Sequence, residues 1–313
     1  MASLYLYALL GFLLGLLFGS FLNVCISRLP AHESILRPRS HCTACGHAVR
    51  WFDNLPILSW LFLRARCRDC KAPISRRYPA VEAAVGLFFA RTAAYLWTVW
   101  VMPGPSSSTF DVRMQSSVEA IGIAVLAFLL IGLMVMDWQT QRLPDAFTLT
   151  GIGIGFFLVC VEAIFLAPGE GDVVLSPDHQ LRLSSPGSFA AQGNVFLTGP
   201  EALVFGRVAD VAAAALILLT VRWLYKRLRG RDGMGLGDVK LFAMIAAFLG
   251  WGEFLLALFA GVLAASLYGL ALLALRCANA ASKLPFGSFL AAGGLFAALF
   301  GPTILYWYAS LFR

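Results

Sequence analysis

The chain has 313 residues, of which 59% are hydrophobic and only 13% are charged, and its formal net charge is +7. A soluble domain has about 25% charged residues, so this composition excludes an ordinary soluble enzyme or binding module. The mean hydropathy of +0.78 predicts an all-α polytopic membrane protein that buries its core among its own helices and in the lipid bilayer.

Apolar segments recur along the chain at about 20 residues each, the length that crosses a bilayer. They predict about eight transmembrane helices, with seven or nine as alternatives. The predicted spans are 4–25, 81–101, 118–136, 147–166, 208–225, 241–249, 254–275 and 286–309. The sixth crosses only if it begins near Gly237 and extends to about Trp251. The first is not predicted to be a cleaved signal peptide, because no Lys or Arg precedes Arg28.

The positive charges indicate how these spans are oriented, because Lys and Arg concentrate in cytoplasmic loops. Most of the 24 basic residues fall in alternate connections, namely 26–79, 137–146, 226–240 and 276–285. We therefore expect the N-terminus outside and these connections inside. Charges of this kind favour a cytoplasmic membrane face over nucleic-acid binding, and no nucleic-acid partner is expected.

Four of the seven cysteines form two Cys-x-x-Cys pairs in the first connection, Cys42 with Cys45 and Cys67 with Cys70. Their separation is about one residue longer than the usual range for zinc sites of this pattern. Four thiolates make a closed tetrahedral site, which is structural rather than catalytic, and a cytoplasmic loop disfavours disulfides. The pattern predicts a bound Zn²⁺ ion in a cytoplasmic loop at 26–79.

The connection at 168–207 is rich in Gly, Pro and Ser and is predicted to lie outside. Its few apolar pairs cannot form a core, so we expect a loop with at most one short hairpin. The pattern indicates no chemistry in this segment.

Two aspartates lie at predicted helix ends on the inner face. Asp137 ends the third span in LMVMDWQTQRLPD, and Asp238 opens the sixth in GMGLGDVK. A charge at such a place is costly enough to suggest function. Two carboxylates from different helices can share a proton, so that one activates water and the other polarises a peptide carbonyl, as in aspartic proteases. Helix capping is the alternative for Asp238, and it is the expectation for Asp145.

Glycines surround Asp238 at Gly233, Gly235 and Gly237. They would let the backbone pass close to an extended peptide and adopt positive φ. A phosphate-binding loop fits less well, because Asp238 stands where a glycine is required. Two other classes remain open: a transporter using the acids as ion sites, which are usually near the midplane, and a non-catalytic zinc-loop scaffold.

Six motifs in order, covering nearly the whole chain, resemble those of the bacterial prepilin peptidases, the type IV leader peptidases of the GxGD aspartic protease group. These motifs are GSFLNVCISRLP at 19–30, the two Cys-x-x-Cys pairs, ISRRYPAVE at 74–82, DWQTQRLPD at 137–145, GMGLGDVK at 233–240 and LPFGSFLAAGG at 284–294. The departures are Cys25, Ser288 in a place often held by Pro, and a longer outer loop. Neither departing residue is expected to touch the chemistry.

The resemblance implies an enzyme of the bacterial inner membrane that removes the leader of type IV prepilins and type II secretion pseudopilins at the cytoplasmic face. It also implies N-methylation of the new N-terminus with S-adenosyl-L-methionine as methyl donor. Asp137 and Asp238 would be catalytic, supported by the glycine motif and Lys240. The implied division is a methyltransferase part at 1–101 and a peptidase bundle at 102–313.

Two charged residues of the second span need separate interpretation. Glu82 stands at its start and is a candidate for orienting the amine that is methylated, because that amine must lose a proton. The alternative is that Glu82 only interacts with the helix dipole. Arg91 falls near the middle of the span, where a charge is expensive, and its role is unexplained.

Overall fold

The computed structural model describes residues 2–37, 39–102, 110–170, 173–175, 181–183, 200–230, 233–275 and 284–312. Helices dominate these residues and confirm the predicted all-α membrane class. The helices are α1 (Ala2–Arg28), α2 (Leu58–Phe62), α3 (Arg77–Val101), α4 (Phe110–Thr140), α5 (Asp145–Glu170), α6 (Pro200–Arg229), α7 (Leu236–Leu249), α8 (Trp251–Ala274) and α9 (Phe286–Ser310).

Seven of the described helices are long and apolar enough to cross a membrane, and α7 is the short one that the sequence left uncertain. It begins near the predicted Gly237 but has only 14 residues, about 21 Å of helix against a hydrocarbon core of about 30 Å. Gly250, at φ 86°, turns the chain directly into α8. Arg207 of α6 donates from Nη1 to the Ala246 carbonyl at 3.5 Å, the same oxygen that accepts the Gly250 N–H at 3.2 Å.

The helices pack closely around α4 and α7, whose apolar residues form the buried centre. These include Leu126, Leu130, Leu133 and Met136 of α4 and Phe242, Met244 and Ile245 of α7. Helix α1 packs against α3 at small residues, as is usual in membranes. A Cβ atom on Gly19 would lie 2.6 Å from the Cα atom of Glu82, so only glycine permits this approach.

The functional motifs gather at one end of the bundle, which we call the loop end and define by the connections 29–76, 141–144 and 230–235. Helices α1, α4 and α6 finish there, and α3, α5 and α7 begin there. Polar contacts hold this end of the bundle together. Arg142 Nη1 donates to the Pro30 carbonyl at 3.3 Å and joins two of the connections, and Asn23 Nδ2 of α1 donates to the Tyr78 carbonyl of α3 at 3.0 Å.

Two expectations about other parts of the chain can be compared with the structure. A short antiparallel hairpin does form within 168–207, with Val173–Leu175 paired to Leu181–Leu183. Most of the remaining loop, and residues 276–283 of the fourth inner connection, lie outside the described residues. Arg91 is in the middle of α3, as the predicted limits had it, and its side chain is exposed on the surface of the bundle.

Candidate active site and metal centre

Asp137 lies in the last turns of α4 and is buried, with only 5% of its surface exposed. Its Oδ2 atom accepts the backbone N–H of Ser288 at 2.6 Å and lies 2.9 Å from the Ser288 hydroxyl. Ser288 is in the first turn of α9, where backbone N–H groups have no partner within the helix. The N-terminus of α9 therefore holds the Asp137 carboxylate with donors that suit its ionised form.

Asp238 lies in the first turn of α7 and is partly buried. Its Oδ2 atom accepts the backbone N–H of Gly235 at 3.3 Å. The expected capping role is therefore present, but it uses one carboxylate oxygen and leaves Oδ1 directed elsewhere. That second oxygen is the one that approaches α9.

The two carboxylates meet beside Gly287, the residue before Ser288. A Cβ atom on Gly287 would lie 2.9 Å from Asp238 Oδ1 and 3.1 Å from Asp137 Cγ. Both side chains are therefore in contact with the same point of the α9 backbone, and a glycine is what leaves room for them. The structure brings together the two aspartates that the sequence singled out on different helices.

Burial raises the pKa of the Asp238 carboxyl to about 6, the negative charge of Asp137 adds to this shift, and the hydrogen bond from Gly235 opposes it. A raised pKa on one carboxyl beside another carboxyl is the arrangement in which a pair shares one proton. Asp137 already accepts the Ser288 N–H and contacts its hydroxyl, which also lies 3.0 Å from the Met134 carbonyl, so Asp238 is the better place for that proton.

The glycines before Asp238 serve close approach rather than an unusual backbone conformation. Positive φ was expected for them, and this was wrong: the described glycines with positive φ are Gly46, Gly230 and Gly250. A Cβ atom on Gly233 would overlap the Tyr225 ring, and one on Gly237 would lie 3.0 Å from Leu143 Cβ. Gly235 has more room, with its nearest neighbour, Asp238 Oδ2, at 3.7 Å.

Lys240 supports the same helix start by a different contact. Its Nζ atom lies 2.6 Å from Asp145 Oδ1, and Asp145 is the first residue of α5. This ion pair joins the starts of α7 and α5 on the loop end, next to the turn that carries Leu143. Both side chains are partly exposed, so the pair orients the helices more than it stabilises the fold.

Ser288 and Gly287 are the residues that the sequence did not assign to the site. Ser288 was expected to lie outside the chemistry, and this was wrong, because both its N–H and its hydroxyl contact Asp137. The available signal was the Pro-Phe-Gly segment at the start of a span. A helix start is a place for a carboxylate, but the sequence does not say which one.

The four cysteines of the loop come together in two matching turns. Isolated bridges pair His41 with Ala48 and Arg66 with Pro73, so each turn has its counterpart 25 residues further along. The left-handed residue of the first turn is Gly46, at φ 73°, and that of the second is Lys71, at φ 60°. The loop therefore contains two similar turns 25 residues apart, a repeat that was not predicted from the sequence.

The sulfur atoms fit a tetrahedral metal site. All four Sγ atoms lie within 4.8 Å of one another, and Cys42 Sγ lies 3.8 Å from Cys70 Sγ. Zn–S bonds of about 2.3 Å place tetrahedral sulfurs at about this separation. The four-cysteine cluster is compatible with zinc.

The thiols of the first pair also suit a metal. Backbone N–H groups of Cys45 and Ala44 lower the pKa of the Cys42 thiol to about 6. The pKa of Cys45 moves the other way, to about 12, although the His47 backbone lowers it, because burial and the neighbouring thiols of Cys70 and Cys42 raise it. The lowered value for Cys42 marks the preferred thiolate. A dication would remove the repulsion that keeps Cys45 protonated.

Glu82 connects this loop to the membrane helices. It is buried near the start of α3, and its Oε2 atom accepts the backbone N–H of Ile57 at 2.7 Å. Ile57 has φ 58°, which is unusual for a β-branched residue, and it immediately precedes α2. Glu82 thus fixes the start of α2 against α3, a contact that the dipole interpretation alone did not predict.

The fold and the site define a class: a multi-pass membrane protein with two aspartates meeting at one end of its bundle and a four-cysteine loop beside them. Residues 13–96 match the family model described as the bacterial Peptidase A24 N-terminal domain. Residues 188–270 match the model of the type IV leader peptidase family. The first match contains the cysteines and Glu82, the second contains Asp238, and Asp137 falls between them.

Similarity to curated proteins extends over nearly the whole chain. A prepilin leader peptidase/N-methyltransferase of Pseudomonas putida is 33% identical over 93% of this chain and 90% of its own length. One of Aeromonas hydrophila is 30% identical over 98% of this chain and 96% of its own. The chain belongs to the type IV leader peptidase family. A search of solved structures found no significant match.

Proposed function

We propose that this protein cleaves the leader of type IV prepilins and type II secretion pseudopilins and methylates the new N-terminal residue. The observation that carries the peptidase assignment is the meeting of Asp137 and Asp238 around Gly287. Family membership and the names of the full-length relatives support both activities. The transporter alternative is weaker, because the two acids lie at the loop end and not near the middle of the bundle.

In the proposed peptidase step, Asp137 is ionised and held by Ser288, and it removes a proton from the attacking water. Asp238 carries the shared proton and donates a hydrogen bond to the scissile carbonyl oxygen. The water oxygen bonds to the carbonyl carbon, the C–N bond then breaks, and the leaving amine takes a proton from the pair. Gly287 lets both carboxylates approach the backbone of α9, and Gly237 lets Leu143 pack closely beside Asp238, so the pair is held together at this point.

The metal and the methyl donor have separate roles in the proposal. Cys42, Cys45, Cys67 and Cys70 would hold one Zn²⁺ ion that stabilises the loop. S-adenosylmethionine, as co-substrate, supplies an electrophilic methyl group. The new N-terminal amine must lose a proton before it accepts this group, and Glu82 is the candidate to orient the amine. The methyltransferase part would comprise 1–101 and the peptidase bundle 102–313.

We further propose that the loop end faces the cytoplasm, that the N-terminus lies outside and that the membrane is the bacterial inner membrane. The support is the concentration of Lys and Arg in the connections at the loop end. Leader cleavage would then occur on the side where prepilins are made and where S-adenosylmethionine is available.

The test of both activities is a reaction of the purified protein in lipid with a purified type IV prepilin, read by mass spectrometry. Without S-adenosylmethionine, the prepilin should lose the mass of its leader. With it, the mature product should gain one methyl group in addition. An unchanged prepilin mass under both conditions would remove the peptidase assignment, and cleavage without the methyl gain would remove only the second activity.

A further inference from the structure

Helix α2 presents an apolar face that the loop itself does not cover. Leu58, Leu61 and Phe62 are exposed by 51%, 57% and 81%, and their i, i+3, i+4 spacing puts them on one side of this single turn. The other side is used internally: Ser59 is buried, and Trp60 Nε1 donates to the Ile74 carbonyl at 3.1 Å. Exposed large apolar side chains grouped in this way mark an interaction surface.

A basic cavity adjoins this face and shares Phe62 with it. The cavity has a volume of about 580 Å³, and its basic lining residues are Arg64, Arg66, Arg68 and Lys71. Arg64 and Ala65 both have positive φ, so the chain turns sharply out of α2 and places the arginines beside the apolar face. An apolar edge bordered by arginines is the chemistry of an anionic amphiphile.

Among the described ion pairs of the loop, that of Arg68 with Asp53 is the one that involves a lining residue of this cavity. Asp53 binds Arg68 through both carboxylate oxygens, at 2.6 to 3.1 Å, and Asp69 lies 3.5 Å from Arg50. Four thiolates with one Zn²⁺ ion would carry two excess negative charges, but the basic residues between α1 and α3 still outnumber these and the acids together. They are Arg37, Arg39, Arg50, Arg64, Arg66, Arg68, Lys71 and Arg76.

The position of α2 brings this surface to a membrane boundary. The loop is tied to spanning helices at both ends, at Arg28 of α1 and Arg77 of α3. In addition, the Ile57 N–H that begins α2 is bound by Glu82 inside the first turns of α3. The apolar face therefore lies beside the first turns of α3, the end at which this apolar span begins.

We propose that the face formed by Leu58, Leu61 and Phe62, with the basic cavity beside it, docks on the anionic phospholipid surface of the membrane that the bundle spans. The cavity takes the headgroup phosphates, and the apolar side chains enter the boundary of the acyl chains. Basic residues next to a membrane gain affinity for anionic lipid in this way, and amphipathic turns do so through apolar burial. The loop is then held flat on the membrane next to the peptidase site.

Hydrogen exchange of the full-length protein in lipid nanodiscs tests this docking. Discs of phosphatidylcholine alone are compared with discs that contain phosphatidylglycerol. Backbone amides of residues 58–71 should exchange more slowly in the anionic discs, while those of 40–49 serve as an internal reference. The double replacement Arg64→Gln with Arg66→Gln should remove this protection. Each lost arginine should reduce the protection factor in the anionic discs about fivefold.

Matched variants separate docking from general charge and hydrophobicity. Arg37→Gln with Arg39→Gln changes the same charge in the same loop and should leave the protection intact. Phe62→Ser should weaken it, whereas Leu36→Ser, at a residue that is 80% exposed, should not. Because all these side chains are on the surface, the variants should fold.

Three results would overturn the proposal. Equal exchange of 58–71 in both kinds of disc would mean that no anionic lipid is bound. Equal protection by soluble glycerol phosphate in phosphatidylcholine discs would mean a free phosphate site instead of a membrane surface. Protection that appears only when a prepilin is added to phosphatidylcholine discs would assign the face to the substrate.

Discussion

At the scale of single residues, the site depends on how little space Gly287 occupies. Its missing Cβ is what allows Asp137 and Asp238 to approach from α4 and α7. Ser288, the next residue, places its N–H and its hydroxyl against Asp137, whereas Asp238 accepts the N–H of Gly235. This difference in donors is what separates the roles proposed for two chemically identical side chains.

Gly287→Ala should therefore stop prepilin cleavage while the protein still folds. The added methyl group would sit 2.9 Å from Asp238 Oδ1 and 3.1 Å from Asp137 Cγ, so the carboxylates must separate. The matched control is Gly153→Ala, because nothing lies within 4 Å of its Cβ position, and alanine favours a helix by up to about 1 kcal/mol. Cleavage rates of the two variants are compared with wild type. Normal cleavage by Gly287→Ala would show that the approach at this point is dispensable.

At the scale of elements, the four-cysteine loop leaves large apolar side chains unburied, since Trp51 and Phe62 are both 81% exposed. The thiols lie in two similar turns, 41–48 and 66–73. Arg68 of the second turn binds Asp53, which lies between the two turns in the sequence. Metal binding would supply most of the folding free energy of such a loop.

Cys67→Ser should reduce the zinc content from one ion per chain to a small fraction and make the loop sensitive to protease, with little effect on the melting of the bundle. Cys160→Ser is the control, because Cys160 is exposed on α5 and distant in sequence from the cluster. Elemental analysis of freshly purified protein gives the zinc content. Wild-type protein prepared without chelators that lacks zinc would contradict this prediction.

Glu82 offers a second test at the element scale, because two substitutions separate its charge from its hydrogen bond. Glu82→Gln keeps an oxygen that can accept the Ile57 N–H but loses the charge, whereas Glu82→Ala loses both. If the charge orients the amine, Gln should reduce methylation of the mature pilin while cleavage continues. The mass of the product reads both activities. Normal methylation by Gln together with loss by Ala would make Glu82 a structural residue that positions α2.

Much of this organisation could be predicted from the sequence, and the limit has a physical reason. Apolar segments and the Cys-x-x-Cys pairs are local patterns, so the helices and the four-cysteine cluster followed from them. The contact between Ser288 and Asp137 depends on how α9 packs against α4, and the pair of Lys240 with Asp145 depends on how α7 meets α5. Local patterns carry no information about such packing. The length of α7 was uncertain because it ends at a single glycine, Gly250, that leads directly into another apolar segment.

At the scale of the whole molecule, the connections that define the loop end lie on the same side of the bundle. One labelling experiment can therefore determine which side of the membrane the loop end faces. Ser75 is exposed at the loop end, and Ser310 is exposed at the far end of α9. If the loop end is cytoplasmic, Ser310→Cys should react with a membrane-impermeant thiol reagent in cells whose outer barrier is permeabilised. Ser75→Cys should react only after the inner membrane is opened. The opposite labelling would place the site outside.

The most direct test of the account is prepilin cleavage by Asp137→Asn and Asp238→Asn, measured by mass spectrometry on purified protein in lipid. A neutral amide cannot share the proton that the mechanism needs, so either variant should fold, insert and leave the prepilin uncut. Asp145→Asn, which only weakens an exposed ion pair and a helix start by about 1 kcal/mol, should cleave at nearly the normal rate. Full cleavage by Asp238→Asn would contradict the proposed pair.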